Sequence, residues 1–125
     1  MAAQPSNIVW ALDVSVSFGK LGGLYLRQER FNTATGAFKQ SLSIDVKFVR
    51  LEPDNVTARR SLWVSLMQLG DVFDKLENPT KTLAHCTQGL EIARSLATLD
   101  NSNLARISDL GVTLDRLVGV QGSDA

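Results

Sequence analysis

The chain has 125 residues, enough for one continuous core and too few for two independent ones. Hydrophobic residues make up 44% of it and charged residues 21%, while Lys+Arg and Asp+Glu each number 13, so no cationic excess is present to neutralise nucleic-acid phosphates or an anionic membrane. One cysteine, Cys86, and one histidine, His85, exclude an internal disulfide and any metal site built on several Cys or His ligands.

Met1 to Ser6 carry no Lys or Arg, and Asp13 interrupts the apolar stretch that follows, so a secretory leader is not expected. No apolar run approaches the roughly 18 residues of a membrane helix, and the expected compartment is the cytoplasm. The first predicted helix covers 7–28, with Trp10, Val14, Phe18, Leu21 and Tyr25 at helical spacing and Trp10 assigned to its core. The second, over 30–52, carries Phe31, Ala34, Phe38, Leu42 and Phe48. Pro53 stops it, because proline disfavours helical geometry in the residue before it.

The third helix, 55–76, opens at Asn55, whose side-chain oxygen can accept a free amide of the first turn. Leu62, Leu66, Leu69, Phe73 and Leu76 then follow at spacings of 4, 3, 4 and 3. Trp63 lies off that stripe, which leaves it open between core and ligand anchor. Asn78-Pro79 begins the fourth helix, 79–100, since proline is tolerated where its missing N–H had no partner; Leu83, Cys86, Leu90, Ala93 and Ala97 form its stripe. Asn103 caps a fifth, 103–119, with Leu110, Leu114, Leu117 and Val120 in its stripe and Ile107 and Val118 predicted to stay partly bare. Gly122 to Ala125 are read as its end.

Sliding the sequence on itself gives an ungapped match at an offset of 48 residues. Asn7, Asn55 and Asn103 align; so do Val16, Val64 and Val112, and Leu21, Leu69 and Leu117. This is the signature of a repeat protein, with units 7–54, 55–102 and a partial 103–120 inside one domain, 1–125. The expected fold is all-α, an antiparallel helix-pair solenoid of five helices and two and a half repeats, because short turns make successive helices antiparallel neighbours.

At Leu21-Gly22-x-x-Tyr25, followed by Ala34 and Phe38, the chain resembles the tetratricopeptide repeat; Leu69-Gly70-x-x-Phe73 repeats the first part. Phe18 stands where the family usually has Trp, Thr82 and Cys86 depart on the fourth helix, and Val118 replaces the expected Gly. The period of 48 exceeds the family's 34, in a long-repeat variant with longer second helices. The resemblance implies a concave groove lined by the first helix of each unit, where a peptide or partner helix would lie. Carried over residue by residue, the groove residues are Val16, Gly19, Gly23 and Leu26, then Val64, Met67, Asp71 and Lys75, then Val112 and Asp115. The best-known subgroup clamps a C-terminal carboxylate at places that here hold Gly19, Gly23, Asp71, Val112 and Arg116, of which only Arg116 fits.

No constellation for catalysis emerges. Gly19, Gly22 and Gly23 lie inside a helical pattern with no preceding strand, so they are no phosphate loop. Asp71 and Asp74 read as a solvated helix face, Cys86 as a packing residue and His85 as a surface one. The expectation is therefore a protein-interaction module, not an enzyme, with no cofactor and no metal, binding a protein or peptide and neither nucleic acid nor membrane. The alternative is a structural segment of a longer array in a multidomain scaffold or sensor. The uncovered side of 103–119 further predicts a symmetric homodimer through that helix.

Overall fold

The structure, a computed structural model, describes the backbone of residues 5–123 and the side chains of residues 9–120. It holds five helices, α1 (Pro5–Arg27), α2 (Phe31–Leu51), α3 (Val56–Lys75), α4 (Pro79–Leu99) and α5 (Leu104–Ser123), and no strand among the described residues. The bounds of α4 lie 48 residues beyond those of α2, and those of α5 lie 48 beyond those of α3. α1 begins at Pro5, two residues before the expected start at 7, and ends at Arg27. α5 runs on to Ser123 instead of stopping at residue 119, since glycine lowers helix propensity without forbidding the helix.

Local chemistry sets the breaks. Asn55 Oδ1 accepts from the Ala58 amide at 3.0 Å, Asn78 Oδ1 from Lys81 at 3.2 Å, and Asn103 Oδ1 from Ala105 at 3.0 Å. At the other ends, α1 and α3 close alike. Glu29 and Glu77 adopt left-handed backbone (φ 59° and 56°), and the next amides, of Arg30 and Asn78, reach back to the Tyr25 and Phe73 carbonyls at 2.9 Å. Each closure satisfies orphan carbonyls, but it uses a residue with a Cβ where glycine is preferred.

Consecutive helices pack as antiparallel pairs. Leu12 meets Phe48, Ser15 meets Asp45 and Gly22 meets Phe38, so α2 descends as α1 rises. In α3 and α4 the partners are Gly70 with Cys86, and Met67 and Trp63 with Gly89. α1, α3 and α5 run parallel in one layer, shown by Gly19 against Gln68, Trp63 bonded to Thr113 and Arg116 bonded to Asp71. The arrangement is helical-repeat in type and solenoid-like, each pair laid on the next. Three core clusters follow the stacking: Ala34, Phe38, Leu69, Val72 and Phe73; Leu12, Phe48 and Ala58; and Trp63, Met67, Cys86 and Ala93.

Several stripe residues sit differently from expectation. Trp10 is 71% exposed rather than core. Its equivalent 48 residues on, Ala58, is buried because α3 leans on the α1–α2 pair, whereas no described helix lies on that side of α1. Leu21, Leu76 and Leu83 are exposed at helix edges, and Leu114 is exposed on α5.

Gly22 and Gly70 are where helices touch. A Cβ at Gly22 would lie 2.4 Å from the Phe38 ring, and one at Gly70 would lie 2.9 Å from Cys86 Sγ. A Cβ on Gly23 would meet nothing within 4 Å. Gly22→Leu should therefore cost about 1–3 kcal/mol through overpacking, while Gly23→Ala, one residue away, gains about 1 kcal/mol of helix propensity. Thermal melts that rank the two the other way would remove the close-crossing account. Relief of the left-handed backbone gives a second expectation: Glu77→Gly should raise stability by about 1 kcal/mol in urea unfolding, and a lower midpoint would show that Glu77 contributes contacts beyond its backbone.

Candidate functional site

Between α1 and α3, on the face away from α2, the structure opens a cleft of about 740 Å³, inside the range of about 300–1,000 Å³ typical of ligand sites. Small residues make it. Gly19 and Gly23 keep the α1 wall low, and Ser15, Ser61 and Ser65 form the floor, with Val16 and Val64 facing across it. The neighbouring interval between α3 and α5 is bridged shut. Arg116 forms a two-pronged pair with Asp71 (2.8 and 3.1 Å), Arg60 forms another with Asp109 (3.0 and 3.3 Å), and the Trp63 indole donates to Thr113 Oγ1 at 2.8 Å.

Beneath the floor lies a polar knot within the core. The fully buried Asp45 carboxylate of α2 accepts from Ser15 Oγ of α1 at 2.7 Å, from Ser61 Oγ of α3 at 2.8 Å and from Ser65 Oγ of α3. Ser41 Oγ donates to the Ser15 carbonyl at 2.6 Å and completes the α1–α2 side. No cation among the described residues contacts the carboxylate, and burial dominates and pushes its pKa above the ordinary carboxylate value, against the lowering by the Ser65, Ser15 and Ser61 hydroxyls.

Of the residues expected to line a groove, Val16, Gly19, Gly23 and Val64 are brought together in this cleft. Leu26 packs half-buried on the Ala34–Phe38 cluster instead. Met67 is 4% exposed and fills the space over Gly89, where a Cβ would lie 2.3 Å from its methyl; it is a core residue and no contact surface. Asp71 is held by Arg116, whose own pKa is raised by that hydrogen bond, so neither is a free clamp. Lys75, Val112 and Asp115 are exposed but lie outside the cleft. Trp63 resolves as core through its bond to buried Thr113.

Other candidate groups have structural roles. Cys86 is fully buried against Gly70, and burial pushes its thiol pKa up, away from the thiolate a nucleophile needs. His85 is half-buried rather than on the surface proper: its ring stacks on Phe73 at 5.4 Å, and Nδ1 lies 2.7 Å from the Lys81 carbonyl. Among the described residues no group of three or more His, Cys, Asp or Glu could hold a metal, and no helix is long and apolar enough to cross a membrane.

Sequence reasoning missed the cations that border the cleft, Lys20, Arg27, Arg60 and Arg106, and the Asp45 knot. The spacing of Ala34, Ala37, Ser41, Asp45 and Phe48 could have placed Asp45 on the buried stripe. Compared with known proteins, the chain matches no family model, no curated protein and no solved structure.

The raised Asp45 pKa has a signed consequence. The folded chain holds this proton to higher pH than the unfolded chain does, so the favourable contribution is complete below about pH 4 and is lost as pH rises through the folded pKa. The stability of the native protein relative to Asp45→Asn should therefore fall as pH rises from about 4. Denaturant titrations of both proteins across that range check it, and a pH-independent difference would mean that the three hydroxyls fully offset the burial.

Proposed function

We propose that the chain is a non-catalytic helical-repeat scaffold of tetratricopeptide-like type, and that the outer face of α5 stacks on a further helix pair as a segment of a longer array. One observation carries this reading. In α3 the stripe of Leu66, Leu69 and Val72 is buried; 48 residues on, Val120 is still buried and Leu117 half-buried, but Leu114 and the neighbouring Val118 lie bare. Leu114 is 40% exposed where Leu66 is 2%, and Val118 is 66% exposed where Gly70 is buried. A solenoid buries each unit with the next, and an apolar stripe without cover is a surface made for contact. The glycines at the α1–α2 and α3–α4 crossings support the tetratricopeptide-like assignment; Val118 in place of glycine means that a helix laid on α5 stands further off than α4 does from α3.

The cleft between α1 and α3 favours a second reading, in which an extended segment of a partner protein lies on the concave face, with Val16, Gly19, Gly23 and Val64 as contacts. A second copy docking through 103–119 would use the α5 face instead.

Appending a copy of residues 76–99 directly after Ser123 tests the stacking reading, because it supplies α5 with the helix that α3 has. The extended chain, with Val118→Gly to permit the close crossing, should melt in one transition at a higher temperature than the parent. An added helix that melts separately, leaving the parent transition in place, would sink the array reading. Sedimentation of the parent and of Val118→Asp over a concentration series separates stacking from dimer formation.

A further inference from the structure

The chain is neutral, but its cleft is not. Lys20, Arg27, Arg60 and Arg106 border it, and no Asp or Glu does. Asp109 stands behind one end, shared between Arg60 at 3.0 Å and Arg106 at 3.7 Å, so one carboxylate serves two guanidinium groups. Lys20 and Arg27 are exposed and have no carboxylate partner among the described residues. Counting both Asp109 and the Asp45 carboxyl group beneath the floor, the four cations still leave an excess of positive charge along a concave surface, where low-dielectric walls concentrate the field.

The floor adds a second kind of selectivity. Ser15 and Ser65 are buried with their hydroxyls on Asp45, so half-buried Ser61, whose hydrogen is also on Asp45, is the floor serine with an oxygen lone pair to offer an occupant. Such a floor suits an amide N–H donor and disfavours any anionic oxygen, so the acids of an occupant belong on the cations and its backbone on the floor. The dimensions follow from the helix register. Gly19 lies against Gln68; Arg27 is eight residues beyond Gly19, and Arg60 is eight residues before Gln68. At 1.5 Å per residue the two ends stand about 24 Å apart, the length of about seven extended residues.

We propose that this cleft binds an extended acidic peptide segment of a partner protein, with carboxylate side chains on Arg27 at one end, on Lys20 midway and on Arg60 and Arg106 at the other end, and a backbone amide donating to the Ser61 oxygen of the floor. The proposal rests on the cleft reading above and names the chemistry of its partner. It requires side-chain carboxylates at both ends of the segment, not a chain terminus. Strong salt dependence is expected, because the cations border an open cleft.

The test uses the whole chain and a fluorescein-labelled octapeptide of alternating glutamate and serine, blocked at both ends, with a counterpart carrying glutamine for glutamate. Fluorescence anisotropy in low salt should detect the acidic peptide and not the neutral one, and added salt should release it. Lys20→Glu/Arg27→Glu should weaken binding at least tenfold. Gly36→Glu, at another glycine with open space around it, should leave binding unchanged, with circular dichroism confirming that both variants fold. Equal binding of the acidic peptide by the charge-reversed variant overturns the proposal. Equal binding of both peptides, lost in Gly23→Trp, overturns acid selectivity but keeps the cleft as a peptide site. No binding of either peptide, or binding that survives Gly23→Trp, removes the cleft reading as well. Tighter binding of a single-stranded oligothymidine than of the acidic peptide overturns the proposal in favour of phosphate recognition.

Discussion

A single buried carboxylate without a cation fixes how the first three helices sit. Asp45 belongs to α2, and it can be accommodated only while hydroxyls of α1 and α3 point at it together. A buried ion left without such donors costs several kcal/mol, so the three-way contact is enforced by what its loss would expose. The cleft inherits its shape from this contact. Its floor is the outer side of the same three serines, and its depth comes from the small residues that let α1 and α3 lie side by side.

The second half of the molecule fills the corresponding space by other means. Forty-eight residues beyond Ser15, Ser41 and Asp45 stand Trp63, Gly89 and Ala93. The indole occupies the room that the shorter side chains release, and its N–H finds Thr113, the counterpart of Ser65. A polar knot in one pair and an aromatic plug in the next hold the same backbone arrangement. Hydrogen-bond satisfaction is kept across the repeat while residue type is not; among the described residues no buried side-chain polar atom lacks a partner.

This exchange explains what could be read from the sequence. The five helices were legible because their limits depend on local signals, the Asn55, Asn78 and Asn103 caps and the stop at Pro53, and because the period repeats them. Burial was less so. Residue type assigns an acid to the surface, which hides Asp45 although its spacing falls on the buried stripe, and periodicity cannot tell that Met67 turns into the α3–α4 core over a glycine. Trp10 was misplaced because the side of α1 it occupies is covered only in the next unit. Of the groove, the small and β-branched residues were found by carrying positions over from a resemblance. The cations were not, because which of them remain free depends on ion pairs between helices far apart in sequence: Arg60 and Arg116 engage Asp109 and Asp71, while Lys20 and Arg27 engage no carboxylate among the described residues.

The unequal filling of the two pairs also guards against misthreading. A chain whose helices repeat every 48 residues could in principle insert α2 between α3 and α5, or accept α2 from another molecule there. In that frame Asp45 would meet Trp63 in place of Ser15 and Thr113 in place of Ser65, and Asp109 would take the position of Ser61. Two carboxylates would then be forced together beside an indole, with a single hydroxyl left to serve them. The shared period that lets one pair stack on the next would otherwise allow frame-shifted assembly as well, and the buried acid of α2 is a residue that disfavours it.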